Sequence, residues 1–305
     1  MYDGKQYLCS MASVMTPLSM AQKLRPRPET AHKGTMGHAL LVAGSVGVGG
    51  CAVLSAESCL RSGLGKLTVG TPECNRLLLQ FSVPEAVLRL LPYGGDAGIP
   101  WEAGEFARWQ AVGIGPGIGL LAVGLLHDVT ERSAGLPMVV DADALRILAA
   151  HPEWMPMLCG RAVLTPHGGE MQALAQGILH SGTQLGSDDM LQTAAVRLAT
   201  EFQVCVVLKG HPTRVCHPDG RITLCPRGNA GMATAGAGDV LTGIITGLLA
   251  QGYAPDDAAC LGVWLHATAG DLAARQMGRE AMLARDITVH LGEAWSELHE
   301  CLQTR

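Results

Sequence analysis

Charge is scarce in this chain. Only 16% of its 305 residues are charged, against about a quarter in ordinary soluble domains. With 48% hydrophobic residues, that scarcity excludes a disordered or polyelectrolyte chain. There is no basic run, and the formal net charge is −5, so the electrostatic footprint needed to wrap a polyanion is missing and nucleic acid is excluded as a partner. The ten cysteines contain no C-x-x-C pair and no metal-ligand spacing with the eleven histidines. They read as reduced, mostly buried small hydrophobes rather than a disulfide framework. No stretch approaches the roughly 20 apolar residues of a membrane span. The first residues lack a basic flank followed by an unbroken apolar run, so no leader is recognised and the cytoplasm is the expected compartment.

What the chain has in excess is glycine, 39 residues, well above the usual share of about 7%. Such a surplus points to sharp turns and to backbone that lies close to a small ligand. Residues 1–31 end in the Pro-rich LRPRPET and read as an irregular N-terminal arm. From residue 32 to 305 a single domain is expected, with no linker and no internal repeat. Strand candidates are HALLVAG (38–44), KLTVG (66–70), AVGIG (111–115), MVVDAD (138–143), AVLTP (162–166) and VCVVLKG (204–210). Helix-period segments, such as 50–61, separate them. Apolar strands alternating with helices predict an α/β fold, a mostly parallel sheet covered on both faces. TRVCHPDGRITLCP predicts an edge hairpin turning at Pro218, Asp219 and Gly220. A helix over Val240–Gln251 carries Leu241, Ile244, Ile245, Leu248 and Leu249 on one stripe and stops at Gly252. A long last helical region begins near Asp256 and passes Trp264 and Leu272, and a tail follows over 281–305.

The strongest chemical signal is GNAGMATAGAGDVLTG at 228–243. Gly236, Ala237, Gly238 and Asp239 lead directly into the helix, so free amide groups converge at a helix N-terminus and form an anion hole. A carboxylate there would repel a phosphate. Its useful role is to take a proton from a hydroxyl that attacks phosphorus; the alternative is an acidic helix cap.

A second glycine-rich segment, Gly44-Ser45 with Gly47, Gly49 and Gly50, approximates a dinucleotide fingerprint, with Glu73 as the ribose acid. That is the oxidoreductase reading, and a turn permitting close helix packing is its rival. GIGPGIG (113–119), Asp141 and Asp143, and TPHGGE (165–170) all end strands, so polar groups converge on one crevice. His167 reads equally as a ligand contact or as a turn residue at a helix start. Asp141 and Asp143 either anchor loops or hold Mg²⁺ through water. Lys209 either meets a nucleotide phosphate or is solvated.

In order along the chain, HKGTMG (32–37), AGS (43–45), RSGLGKLTVGTPE (61–73), PEA (84–86), GIGPGIG, DADAL (141–145), TPHGGE, LKGHPT (208–213) and NAGMATAGAGDVLTG (229–243) resemble the ADP/ATP-dependent NAD(P)H-hydrate dehydratases of the ribokinase-like superfamily. The resemblance spans His32 to about Leu291. It implies Asp239 as catalytic base, the 236–239 turn as phosphate site, and Lys209, Gly210, His211, Pro212, Thr213 and Gly238 as nucleotide contacts. Cys51, Gly117, Gly119, His167 and Asp239 would line the pocket for hydrated NAD(P)H. ADP or ATP would donate the phosphoryl group, with Mg²⁺ on its phosphates. The resemblance further implies a homo-oligomer, a tetramer, and a separate NAD(P)H-hydrate epimerase working alongside.

Two residues depart from the pattern. Ala237 stands where the family usually has Thr or Ser, and Cys51 where it usually has Ala. A ribokinase-like kinase of a small alcohol, such as a vitamin precursor or sugar, would use the same base and anion turn. A catalytically silent nucleotide-binding protein is the other alternative; the intact Asp239 argues against it.

Overall fold

The computed structural model describes residues 12–92 and 100–303. Its strands are β1 (Ser13–Val14), β2 (His38–Val42), β3 (Lys66–Pro72), β4 (Val87–Leu91), β5 (Ala111–Ile114), β6 (Met138–Val140), β7 (Ala162–Leu164), β8 (Cys205–Leu208), β9 (Thr213–Cys216) and β10 (Ile222–Cys225). Its helices are α1 (Pro17–Ala21), α2 (Gly50–Arg61), α3 (Arg76–Ser82), α4 (Val123–Arg132), α5 (Asp143–Ala150), α6 (Gly168–Gly177), α7 (Asp188–Phe202), α8 (Ala237–Ala250), α9 (Pro255–Met277), α10 (Ala284–Val289) and α11 (Leu291–Gln303).

The strands form one sheet in the order β1-β10-β9-β8-β7-β6-β5-β2-β3-β4. From β4 to β8 every pairing is parallel, and the β8–β9 and β9–β10 pairings are antiparallel. The expected α/β architecture is therefore present, and alternation along the strands explains its two layers of helices. Leu41, Val69, Ala111, Val139, Val163 and Val207 face one core with α2, α8 and α9. Leu40, Val42, Val112, Ile114, Val140 and Leu208 face the other with α4 to α7. A strand buried on both faces is apolar at every position, which is why these runs do not alternate in sequence.

Three expectations need correction. The segment read as irregular contains β1 and α1; Met15 and Met20 are buried, and Thr16 caps α1 through a capping box with Ser19. The remainder of the expected arm, residues 1–11, lies outside the described residues. β1 pairs in parallel with β10, so the hairpin sits one strand in from the edge. Finally, α8 begins at Ala237 rather than Val240, which puts Asp239 inside its first turn. β4 was not anticipated: VLRLL carries Arg89 at its centre.

Two features of this frame position the site. The chain runs outward from β2 to β3 and β4, then returns to β5 on the other side of β2. The loops after β2 and β5 therefore leave neighbouring strands at a switch in strand order, with Gly44 N donating to Pro116 O at 2.8 Å, at the carboxyl ends where open α/β sheets bind ligands. In addition, α2 and α8 lie parallel and close together. Ser55 and Ser58 meet Gly243, and Cys59 and Ser62 meet Gly247, so tightly that a Cβ on Gly243 would stand 2.2 Å from the Ser55 carbonyl oxygen. Both helix N-termini therefore open at the same end.

Candidate active site

The α8 N-cap is Gly236, with φ +90°, a conformation favoured by glycine. It has no room for a side chain, since a Cβ would fall 2.4 Å from Leu54 Cδ1. The first-turn amides of Gly238 and Asp239 have no intrahelical acceptor, whereas the Ala237 amide already donates to Thr234 O at 3.3 Å. Gly236 has no side chain with which to cap the helix, and Asp239 stands in the first turn rather than at the N-cap. Upstream, the loop is latched to α9: Asn229 Nδ2 donates to Asp271 Oδ1 (2.9 Å) and Gly228 N to Asp271 Oδ2 (3.0 Å).

Asp239 is part-buried, and its carboxyl is pushed up to about 7. Burial is the largest cause, the Asp141 carboxylate adds to it, and the Lys209 ammonium opposes both. A carboxyl poised there exchanges a proton near neutral pH, as a general base requires.

Behind it lies a buried charge cluster. Asp141 is 1% exposed; it accepts from Lys209 Nζ at 2.8 Å and from Thr242 Oγ1 at 2.6 Å. Glu170 Oε2 lies 3.6 Å from the same ammonium. Burial alone would lower the Lys209 pKa, but Asp141 and Glu170 outweigh it and the pKa rises. Lys209 is thus neither solvated nor unpaired. It stands under the anion turn, where a Cβ on Gly238 would come within 3.2 Å of Nζ.

The remaining expected residues divide around this centre. Cys51 Sγ reaches Val48 O and Pro116 O (2.8 and 3.3 Å), and a Cβ on Gly117 would be 2.3 Å from that sulfur. Burial first, then Asp239, pushes the thiol up to about 12, so it is no nucleophile. Gly119 N donates to Asp143 Oδ2 at 2.9 Å. His167 is the N-cap of α6: its Nδ1 accepts from Gly169 N and Glu170 N (3.0 and 3.4 Å), and Glu170 returns the bond to His167 N. The helix-start reading of His167 therefore holds. Gly210, His211, Pro212 and Thr213 continue from Lys209 into β9, and Thr213 Oγ1 donates to Gly210 O at 2.9 Å.

For Mg²⁺ the donors fit only in part. Both Asp141 oxygens are engaged, and both Glu170 oxygens lie on His167. Asp143 has an oxygen to spare beyond its bond to Gly119, which suits an ion held largely through water and nucleotide phosphates. The dinucleotide reading loses its ribose acid, because Glu73 is exposed and paired to Arg76 at 2.8 Å. Gly44 and Gly49 instead permit close packing, since Cβ atoms there would meet Asn75 at 2.8 and 2.6 Å.

A model of the NAD(P)H-hydrate dehydratase family matches residues 39–292. The chain belongs to that family. An ADP-dependent (S)-NAD(P)H-hydrate dehydratase of Neisseria meningitidis is 38% identical over 278 residues, 90% of each chain. A bifunctional NAD(P)H-hydrate repair enzyme of Moorella thermoacetica is also 38% identical, over 298 residues, and this chain spans 55% of its length. Among solved structures, an ADP/ATP-dependent NAD(P)H-hydrate dehydratase of Bacillus subtilis co-crystallised with ATP and Mg²⁺ aligns at TM-score 0.78 and 29% identity, covering 94% of this chain and 99% of that one. A ribokinase-like protein of Enterococcus faecalis aligns at TM-score 0.79 and 26% identity, over 94% of this chain and 97% of its own. A hydroxyethylthiazole kinase at 14% identity and TM-score 0.56, covering 95% of this chain and 96% of its own, shares the fold alone. The dehydratase family thus supplies the frame in which the Asp239 geometry is read.

Two site residues had no sequence role. Thr242 is one turn beyond Asp239 and fixes Asp141, a spacing that was visible. His266 lies on α9, with Nε2 2.9 Å from Ala237 O; burial drives its pKa down to about 4, so the neutral ring donates to that carbonyl. Nothing in the sequence around His266 marks it. Among the described residues, no helix is long and apolar enough to cross a membrane.

Proposed function

We propose that this chain dehydrates hydrated NAD(P)H back to NAD(P)H at the expense of ADP or ATP, with Asp239 as the base. The observation that carries the reading is a carboxyl poised at about 7 in the first turn of α8, on a chain 38% identical to an ADP-dependent dehydratase.

Asp239 takes the proton of the C6 hydroxyl as that oxygen attacks the terminal phosphorus. The amides of Gly238 and Asp239 and the α8 dipole stabilise the charge on the transferring group. Ala237 and Gly236 shape the same turn, although no hydroxyl at 237 adds a donor. Elimination follows: the ring enamine nitrogen supplies electrons, the C6–O bond breaks and phosphate leaves, and the resulting iminium loses its C5 proton to solvent, which forms the C5=C6 double bond of NAD(P)H. Phosphorylation is what turns a poor leaving group into a good one.

Lys209 and the 210–213 segment, with Gly238, are assigned to the nucleotide. Cys51, Gly117, Gly119 and His167 are assigned to the nicotinamide substrate. Mg²⁺ would neutralise the nucleotide phosphates, held largely through water beside Asp143. The proposal extends to a single catalytic domain that takes in β1 and α1 as well as residues 32–305, a tetrameric assembly, a cytoplasmic location and a separately supplied NAD(P)H-hydrate epimerase.

The test is an absorbance assay of hydrated NADH and hydrated NADPH with ADP and ATP in turn. Recovery of the nicotinamide band with at least one donor is expected. Phosphorylation of a small alcohol with no such recovery would overturn the reading in favour of a kinase.

A further inference from the structure

At the opposite ends of the strands from Asp239, three elements bring unlike ligand groups together. Cys205 opens β8 and is fully buried, His217 follows β9 at 2% exposure, and Asp256 lies in the first turn of α9. Their Sγ, imidazole nitrogen and carboxylate oxygen all lie within 4.8 Å of one another.

Three observations make this more than a chance cluster. His217 Nε2 is 2.9 Å from Thr223 Oγ1, so the ring is oriented by its far nitrogen, the arrangement usual for a ligating histidine. The near nitrogen, Nδ1, is buried without a hydrogen bond in good geometry, yet it lies 3.2 Å from Asp256 Oδ2. Two donors on one tetrahedral zinc stand about 3.3 Å apart, which is that separation. The nearest competing cation for Asp256 is Arg221, 3.9 Å away, exposed and already bound to Asp219.

We propose that Cys205 Sγ, His217 Nδ1 and Asp256 Oδ2 bind a zinc-class divalent cation. One sulfur, one nitrogen and one oxygen form a donor set of intermediate softness, suited to zinc rather than magnesium or calcium. The half-exposed side of Asp256 leaves the fourth position to water. On binding, Cys205 gives up its thiol proton to solvent, and no electron is transferred. The ion staples the antiparallel end of the sheet to α9; it plays no part at the anion turn. The three ligands are 12 and 39 positions apart in sequence, so no motif spacing could reveal them.

The test uses the full chain, reduced with a phosphine, in a background where the exposed Cys74 and Cys159 are replaced by Ser. After equilibration with Zn²⁺ and dialysis, about one zinc per chain is expected by elemental analysis. Co²⁺ in its place should give a thiolate-to-metal absorption band. Cys205→Ala should abolish the band, and Asp256→Asn, at a surface position that leaves the core intact, should weaken binding about tenfold or more. Zinc should raise the Tm of the parent and not of the Cys205→Ala protein. Absence of stoichiometric zinc at micromolar free metal, or binding unchanged in both variants, would overturn the proposal and leave an ordinary histidine–aspartate pair.

Discussion

Lys209 Nζ lies 2.8 Å from Asp141 Oδ1, and the two act on Asp239 with opposite sign: the ammonium lowers its pKa and the carboxylate raises it. Removing either charge should move the base in a known direction. In Lys209→Met the midpoint of the ascending limb of the pH–rate profile should shift up from about 7; in Asp141→Asn it should shift down. Profiles of kcat/KM, which report the free enzyme, check this for the two variants, and shifts of the same sign would show that the pair does not set the base.

Asp239→Asn should reduce turnover by about 10²–10⁴, the range for loss of a general base. Steady-state assays with saturating nucleotide measure it. An unchanged rate would remove Asp239 from the chemistry.

The same variant should be more stable than the parent at alkaline pH. The Asp239 carboxyl keeps its proton in the folded state up to about 7 but loses it near 3.9 when unfolded. The folded state therefore binds the extra proton between those values, and stability falls as pH rises through the window. Melting curves should show Asp239→Asn gaining most at pH 8 and nothing at pH 4.

Gly243→Ala sets two effects against each other. Helix propensity favours alanine by about 1 kcal/mol, but the new Cβ would meet Ser58 Oγ at 2.1 Å and Ser55 O at 2.2 Å. Backbone cannot yield as a flexible side chain can, so a net loss of about 1–3 kcal/mol is expected. Urea denaturation measures it, with Gly292→Ala, where nothing stands within 4 Å, as control.

Alkylation at neutral pH should label the exposed Cys74 and Cys159 and spare Cys51, whose thiol is pushed up to about 12. Peptide mass spectrometry after brief iodoacetamide treatment separates the three sites. Rapid labelling of Cys51 would show a reactive thiolate beside Gly117.

Much of this architecture was legible in the chain because the central parallel strands, β5 to β8, are unbroken apolar runs. Asp239 stood out through its glycine neighbours. The pairing of Lys209 with Asp141 was hidden, since it depends on β6, β7 and β8 lying side by side, which no local pattern records. His266 was hidden for the same reason, 29 residues beyond the carbonyl it bonds. The short β1 and α1 lay beneath a proline-rich composition that reads as coil, although buried methionines hold them down.

That docked leading segment has a practical consequence for anyone preparing the protein. The family match begins at residue 39, and trimming to it would strip β1 from β10 and empty the apolar bed of Met15 and Met20. The bared rim of β10 would then offer its amides to any passing strand, the usual start of aggregation. Expression vectors should keep the leading segment intact.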